Sequence, residues 1–186
     1  MQLEELYGYK FGVVYQSNFN TLIVDPIKSS NSEAPKKFFP YERIVSPNGK
    51  NGVVMIPKYK NNFLLLNQYR HAPRKMQYSF PRGFSEDNST SSENAARELK
   101  EETGYSSENL EWILTIRTTV AFCDERIEVF VARNLIPGEQ SLDEDEFVDV
   151  KAYELDELKQ MIFEGKIQDS KTMAAILAYE SKYLHG

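Results

Sequence analysis

Apolar and polar positions along this chain alternate with two different periods. Short runs rich in aromatic and β-branched residues, bounded by Gly, Pro, Asn and Asp, predict strands at 7–16, 20–24, 41–45, 52–58, 63–69, 110–120, 126–132 and 147–153. Ser17-Asn18-Phe19-Asn20 supplies a turn between the first two, and Pro47-Asn48-Gly49 and Lys60-Asn61-Asn62 supply later ones. The strands at 110–120 and 126–132 pair across Phe122-Cys123-Asp124-Glu125. Helical spacing appears at 156–164 and 170–183, the latter with Met173, Ile176, Leu177 and Leu184 as its apolar stripe. The polar, proline-bearing stretch 28–37 reads as a linker, and no internal repeat is present.

A further helix, Ser91–Thr103, is written in its ends. Thr90-Ser91-Ser92-Glu93 has the form of a capping box, in which hydroxyl and carboxylate satisfy each other's backbone donors. Ala95, Ala96, Leu99 and Lys100 favour helix, and Gly104 is placed to close it in the left-handed conformation. Mixed strands with one helix in the middle and two late predict an α+β sandwich.

This helix carries an electrostatic oddity. Glu98 and Glu102 lie about 40° apart around its axis, and Glu101 about 60° to the other side of Glu98. Like charges at these spacings cost an isolated helix a few tenths of a kcal/mol, and carboxylates near a helix C-terminus oppose its dipole. A bound cation reverses the sign of the problem, and hard divalent ions such as Mg²⁺ take oxygen ligands. The plainer reading is a solvated acidic face with Arg97 and Lys100 as ion-pair partners.

The flanking spacing decides between the two. Gly83, Arg97, Glu98, Leu99, Glu101, Glu102 and Gly104 fall on the box G-x5-E-x7-R-E-U-x-E-E-x-G-U, where U is bulky and aliphatic, and match seven of its nine specified positions. The chain thereby resembles the Nudix hydrolase superfamily. Ser89 stands in place of the first glutamate and Tyr105 in place of the last aliphatic residue. The resemblance implies an α/β/α sandwich with a mixed β-sheet, and metal ligation by Glu98, Glu102 and the backbone carbonyl of Arg82, with Glu101 auxiliary. Because the family's first glutamate supports the loop and the box arginine, Ser89 implies retained metal binding with reduced activity.

Further landmarks are similar to those of ADP-ribose pyrophosphatases and related nucleoside-diphosphate-sugar hydrolases. They are Asn67-Gln68-Tyr69-Arg70, Phe80-Pro81-Arg82-Gly83-Phe84, Asp124-Glu125-Arg126, Gly138-Glu139-Gln140 and the acidic run Leu142-Asp143-Glu144-Asp145-Glu146. Departures are Ser79 in place of an acidic residue, Arg82 in place of alanine, and Val120 and Ala121 where many of these enzymes carry a proline. The resemblance implies Mg²⁺-dependent (or Mn²⁺-dependent) hydrolysis of a nucleoside diphosphate sugar to a nucleoside monophosphate and a sugar phosphate. Glu144 or Glu146 is the implied base, Glu144 ahead, with a solvated acidic loop as the alternative for this run, and Glu125 a further metal or phosphate-site residue. Arg70, Arg82 and Arg117 are candidates to meet phosphates, since guanidinium binds phosphate oxygens bidentately; surface ion pairing is the alternative for each.

Composition narrows the remaining choices. At 186 residues with 41% hydrophobic content the chain suits one catalytic domain, expected at 40–186, with 1–39 an N-terminal β extension and linker; the resemblance to ADP-ribose pyrophosphatases implies that this extension supports a homodimer. Its longest apolar run, 63–66, is too short to span a bilayer, and 1–9 holds Glu4 and Glu5 and no apolar core of a secretory leader. One cysteine, Cys123, precludes an internal disulfide and suits a reducing cytoplasm. The net charge of −6 argues against general nucleic-acid binding. Three functions fit these observations: a hydrolase of ADP-ribose or a related nucleoside diphosphate sugar, a hydrolase of another nucleotide such as a dinucleoside polyphosphate, and a nucleotide-binding module in which Ser89 marks weakened catalysis.

Overall fold

The computed structural model describes residues 8, 10–31, 33, 38–46, 51–86, 88–142 and 147–184. Strands are β1 Gly12–Gln16, β2 Thr21–Lys28, β3 Phe38–Val45, β4 Gly52–Tyr59, β5 Asn62–Arg70, β6 Lys75–Ser79, β7 Arg82–Phe84, β8 Tyr105–Ser106, β9 Asn109–Arg117, β10 Arg126–Arg133, β11 Ile136–Pro137 and β12 Val148–Tyr153. Helices are α1 Ser91–Thr103, α2 Leu155–Phe163 and α3 Ser170–Tyr183. None is long and apolar enough to cross a membrane.

Two compact units emerge, Met1–Lys50 with Arg117–Glu125, and Asn51–Ile116 with Arg126–Gly186. In the first, β1, β2 and β3 form an antiparallel sheet, with Thr21 to Lys28 paired to Val45 to Phe38. The turn before β2 closes through Ser17 N–H on Asn20 O at 2.9 Å. The 117–125 segment is laced to β3 by Ile44 N–H on Phe122 O at 2.7 Å and Ser46 N–H on Asp124 Oδ1 at 3.1 Å.

The second unit is built around β4. Its Gly52–Ile56 stretch is buried throughout, as expected of a strand covered on both faces. Val54 and Ile56 face a core with Phe63, Leu65, Val129, Leu158 and Ile176, which α2 and α3 close. Val53 and Met55 face the opposite way, onto Ala95, Leu99 and Phe130, which α1 closes. The alternation of one strand thus creates the helix-sheet-helix layering of an α+β sandwich. Complete burial of a side chain such as Leu99 contributes about 1.5–3 kcal/mol.

Strand order is β12-β5-β4-β10-β9, with β10 parallel to β4. One edge of β4 is shared. Its end pairs with β5 at Lys58–Phe63, and its start pairs with β7 at Val53–Gly83 and Val54–Arg82. That fork brings Arg82 and Gly83 under the helix that bears the glutamates.

Several boundaries differ from the sequence expectation. The first strand begins at Gly12, with positive φ of 86°, and leaves out residues 8, 10 and 11, while residues 7 and 9 of the expected span lie outside the described residues; β9 stops at Arg117 instead of running to 120. β2 extends through Lys28 and β3 begins at Phe38, because each completes the other's ladder. The short strands β6, β7, β8 and β11 lack a readable period and exist through pairing with longer neighbours or each other. On α3 the stripe is rotated: Thr172, Ala175, Ile176 and Tyr179 are buried, while Leu177 is 65% exposed and Leu184 is exposed. Tyr179 takes the inner position by an edge contact with Phe63, ring centroids 5.0 Å apart. The predicted turn at 47–49 lies outside the described residues, as does most of the second half of the linker.

Candidate active site

Helix α1 starts as its sequence dictates. Glu93 N–H donates to Thr90 Oγ1 at 3.2 Å and Thr90 N–H to Glu93 Oε2 at 2.7 Å, closing the capping box. It ends at Gly104, φ 76°, whose N–H reaches Lys100 O at 2.8 Å. A Cβ at Gly104 would stand 3.0 Å from Gln140 N and 3.1 Å from Gly138 O, so the Gly138-Glu139-Gln140 landmark packs directly on the helix end. Gln140 Nε2–H donates to Glu102 O at 2.6 Å and Ser141 N–H to Glu101 O at 3.1 Å, satisfying carbonyls that a helix terminus leaves open.

The three glutamates occupy distinct surroundings. Glu102 is only 3% exposed, and its Oε2 accepts the Arg82 backbone N–H at 2.7 Å. Glu98 lies across Gly83: a Cβ there would stand 1.9 Å from the Glu98 carboxylate, so only glycine leaves that space. Glu101 is the most open of the three and is held by Arg97.

Arg97 organises this flank. Its Nη2 reaches Glu98 Oε1 and its Nη1 reaches Glu101 Oε2, each at 2.6 Å, and its Nε stands 3.5 Å from Glu86 Oε1. The last contact is an ion pair without hydrogen-bond geometry, since buried Nε makes no hydrogen bond. Burial works against the guanidinium charge, but Glu98, Glu101 and Glu86 outweigh it and hold the Arg97 pKa above its ordinary value.

The donor set fits a hard divalent cation. Glu98, Glu101 and Glu102 offer carboxylate oxygens against one guanidinium, and one of these carboxylates is buried. Among the described residues no three acidic, His or Cys side chains converge as a ready-made metal centre. The reason is visible in the contacts: Arg97 draws Glu98 and Glu101 toward itself while Glu102 turns to Arg82. Mg²⁺ commonly takes one or two carboxylates and completes its shell with water and substrate phosphates, so full convergence is not required.

Other candidate residues are distributed as follows. Arg70 ends β5 and is half-buried. Arg117 and Glu125 belong to the first unit, where Arg117 Nη1–H donates to Asp124 O at 3.1 Å and Thr118 Oγ1–H to Glu125 Oε2 at 2.6 Å. Ser89 is exposed in the loop before α1. Glu144 and Glu146 lie outside the described residues. Tyr105 packs on Tyr59, ring centroids 5.3 Å apart, and so serves as the large apolar contact behind the Gly104 turn.

Two groups of residues escaped the sequence reading. Buried Asn94 accepts Glu86 N–H at 3.0 Å and donates to Thr90 O at 2.8 Å, bracing the loop that contains Ser89. Asp169 and Thr172, at the start of α3, bond to each other, and Thr172 Oγ1 accepts the Phe80 N–H. Asp169-x-x-Thr172 carries an N-cap signal, but nothing in the sequence points it toward the turn 92 residues earlier.

The family model for the NUDIX domain matches residues 49–176. The chain belongs to the Nudix family. Its enzyme class is accordingly pyrophosphohydrolase. This Nudix protein is 36% identical over 165 residues to the methanol dehydrogenase activator of Bacillus methanolicus, covering 88% of this chain and 86% of the relative. It is 28% identical over 165 residues to the ADP-ribose pyrophosphatase of Bacillus subtilis (strain 168), again covering 88% and 86%. Its fold matches a crystal structure of an ADP compounds hydrolase with a TM-score of 0.80, at 20% identity, over 91% of this chain and 89% of the other.

Proposed function

We propose that this Nudix protein hydrolyses the diphosphate bond of ADP-ribose or a related nucleoside diphosphate sugar, with Mg²⁺ as the working cation. The carrying observation is the buried Glu102 carboxylate tied to Arg82 N–H at 2.7 Å, beside Glu98 over Gly83. A buried carboxylate of this kind is costly unless it is paired or holds a cation. The 28% identical relative named as an ADP-ribose pyrophosphatase supports the substrate class.

In this reading Glu98, Glu102 and the Arg82 carbonyl hold the cation, and Arg97 keeps Glu98 and Glu101 oriented. A divalent cation held there would supply Lewis-acid chemistry, polarising phosphoryl oxygens and making a nearby water more acidic. Arg70 meets the diphosphate charge, and Glu144, ahead of Glu146, takes the proton of the water. Water oxygen bonds to one phosphorus, the bridging P–O bond breaks, and its electron pair leaves with the other phosphate. ADP-ribose and water give AMP and ribose 5-phosphate.

Homodimerisation belongs to the same proposal. Val13, Tyr15, Ile27 and Phe39 of the β1–β3 sheet are exposed, and a second copy is the expected cover. Light scattering of the purified chain tests it.

A panel of ADP-ribose, other nucleoside diphosphate sugars and dinucleoside polyphosphates, incubated with Mg²⁺ or Mn²⁺ and scored for nucleoside monophosphate, tests the activity. Preference for a dinucleoside polyphosphate transfers the assignment to that substrate. Binding without cleavage of any member leaves a nucleotide-binding module and ends the hydrolase reading.

A further inference from the structure

Helix α3 grips the turn that carries Arg82. Phe80 N–H donates to Thr172 Oγ1 at 3.0 Å, and both residues are fully buried. The Thr172 hydroxyl has one proton, which goes to Asp169 Oδ2 at 2.8 Å, so a lone pair is left for Phe80 N–H. The same Asp169 oxygen accepts Thr172 N–H at 3.0 Å and so cannot swing away without uncapping the helix.

The next two residues are bound elsewhere. Pro81 O accepts Met55 N–H of β4 at 2.9 Å, and Arg82 N–H donates to Glu102 of α1 at 2.7 Å. Three consecutive residues are therefore fixed to α3, β4 and α1 in turn. Pro81 adds a locked φ, so little freedom remains in the Arg82 peptide. The Arg82 side chain is drawn the same way, Nη1 standing 3.7 Å from Asp169 Oδ1, whose other cationic neighbour is Lys171 Nζ at 2.7 Å.

We propose that Thr172 and Asp169 are positioning residues for the cation-binding turn: through Phe80 they set the direction of the Arg82 carbonyl and its spacing from Glu98 and Glu102. The proposal rests on the cation-dependent reading of that site. A helix late in the chain thereby controls the geometry of a box that ends nearly seventy residues earlier. Residues that orient metal ligands in this way typically change affinity or activity about 10–100-fold when removed.

Thr172→Val keeps the side-chain shape and deletes the hydroxyl, and Thr172→Ser keeps the hydroxyl. In metal-free protein, Thr172→Val is expected to shift the Arg82 and Gly83 amide resonances and to speed exchange of the Arg82 amide about tenfold by local opening, with the α1 interior unchanged. Calorimetry is expected to show Mg²⁺ or Mn²⁺ binding weakened about 10–100-fold in Thr172→Val and near wild type in Thr172→Ser. Unmoved Arg82 and Gly83 amides overturn the proposal. So does an unchanged cation affinity in folded Thr172→Val, which would leave Thr172 as a staple of the fold only. Should Thr172→Val fail to fold, Asp169→Asn keeps the cap acceptor while releasing Arg82, and is judged by the same two readouts. Wild-type protein that binds cation but cleaves no substrate removes the hydrolase reading while these measurements still decide the positioning role.

Discussion

The Arg82 backbone N–H lies 2.7 Å from Glu102 Oε2, joining a strand start to the last turn of a helix twenty residues later. A buried carboxylate that accepts from the main chain is oriented by the fold itself, independently of any side-chain rotamer of its partner.

Glu102→Gln tests the chemistry without disturbing that bond, because an amide oxygen still accepts the Arg82 N–H. The variant is expected to fold with an unchanged circular dichroism spectrum and to lose at least about 100-fold in kcat, the upper end for residues that merely support a metal ligand. Activity within a few-fold of wild type would remove Glu102 from the site.

Gly83→Ala separates packing from catalysis. The added methyl would meet the Glu98 carboxylate at 1.9 Å, and that carboxylate, as the free end of a flexible side chain, moves rather than the backbone. A small change in Tm and a fall in kcat/KM of about 100-fold, the cost of roughly ångström-scale misplacement, are expected. A large Tm loss with kcat/KM retained in the folded fraction would show that Gly83 serves the fold alone.

Ser89 leaves the loop before α1 without the glutamate that the Nudix box specifies, and Glu86 stands instead 3.5 Å from Arg97 Nε. That pair is weak, since the Glu86 side chain is 61% exposed. Ser89→Glu is expected to raise kcat by up to about tenfold by adding a carboxylate near Arg97. Steady-state rates that stay level or fall would mean that serine does not limit turnover.

Acid stability has a separate origin in the second unit. Hydrogen bonds from Lys182 Nζ at 2.8 Å and Arg133 Nη1 at 2.5 Å pull the Glu111 carboxyl down to about 2 from its ordinary 4.5. A depressed folded-state pKa gives stability that is present above about 4.5 and is lost as pH falls toward 2. Urea unfolding from pH 6 to pH 2 should therefore show a stability gap between wild type and Glu111→Gln that narrows across this window. Because the side chain is 37% exposed, added salt should shrink the gap. A gap independent of pH would assign the Glu111 effect to packing.

Much of this protein is legible one-dimensionally. Thr90, Glu93 and Gly104 fixed the limits of α1, because caps are local chemistry that needs only neighbouring backbone. The spacing of Glu98, Glu101 and Glu102 along one helix is likewise a property of the sequence, as is the box that places the chain in its family. Strand-forming runs such as Asn62–Arg70 announced themselves through their own hydrophobic content.

What the tertiary structure decided is how distant groups meet. No period marks Arg82–Phe84 as a strand; it becomes one by pairing with the start of β4. Which face of α3 is inward was settled by Tyr179 against Phe63, at the expense of Leu177. The surroundings of the glutamates, with Gly83 beneath Glu98, Arg82 N–H on Glu102 and Thr172 behind Phe80, depend on contacts across many residues of chain. Periodicity and capping report interactions within a few residues, whereas the direction of a carboxylate is set by whichever donor the folded chain brings to it.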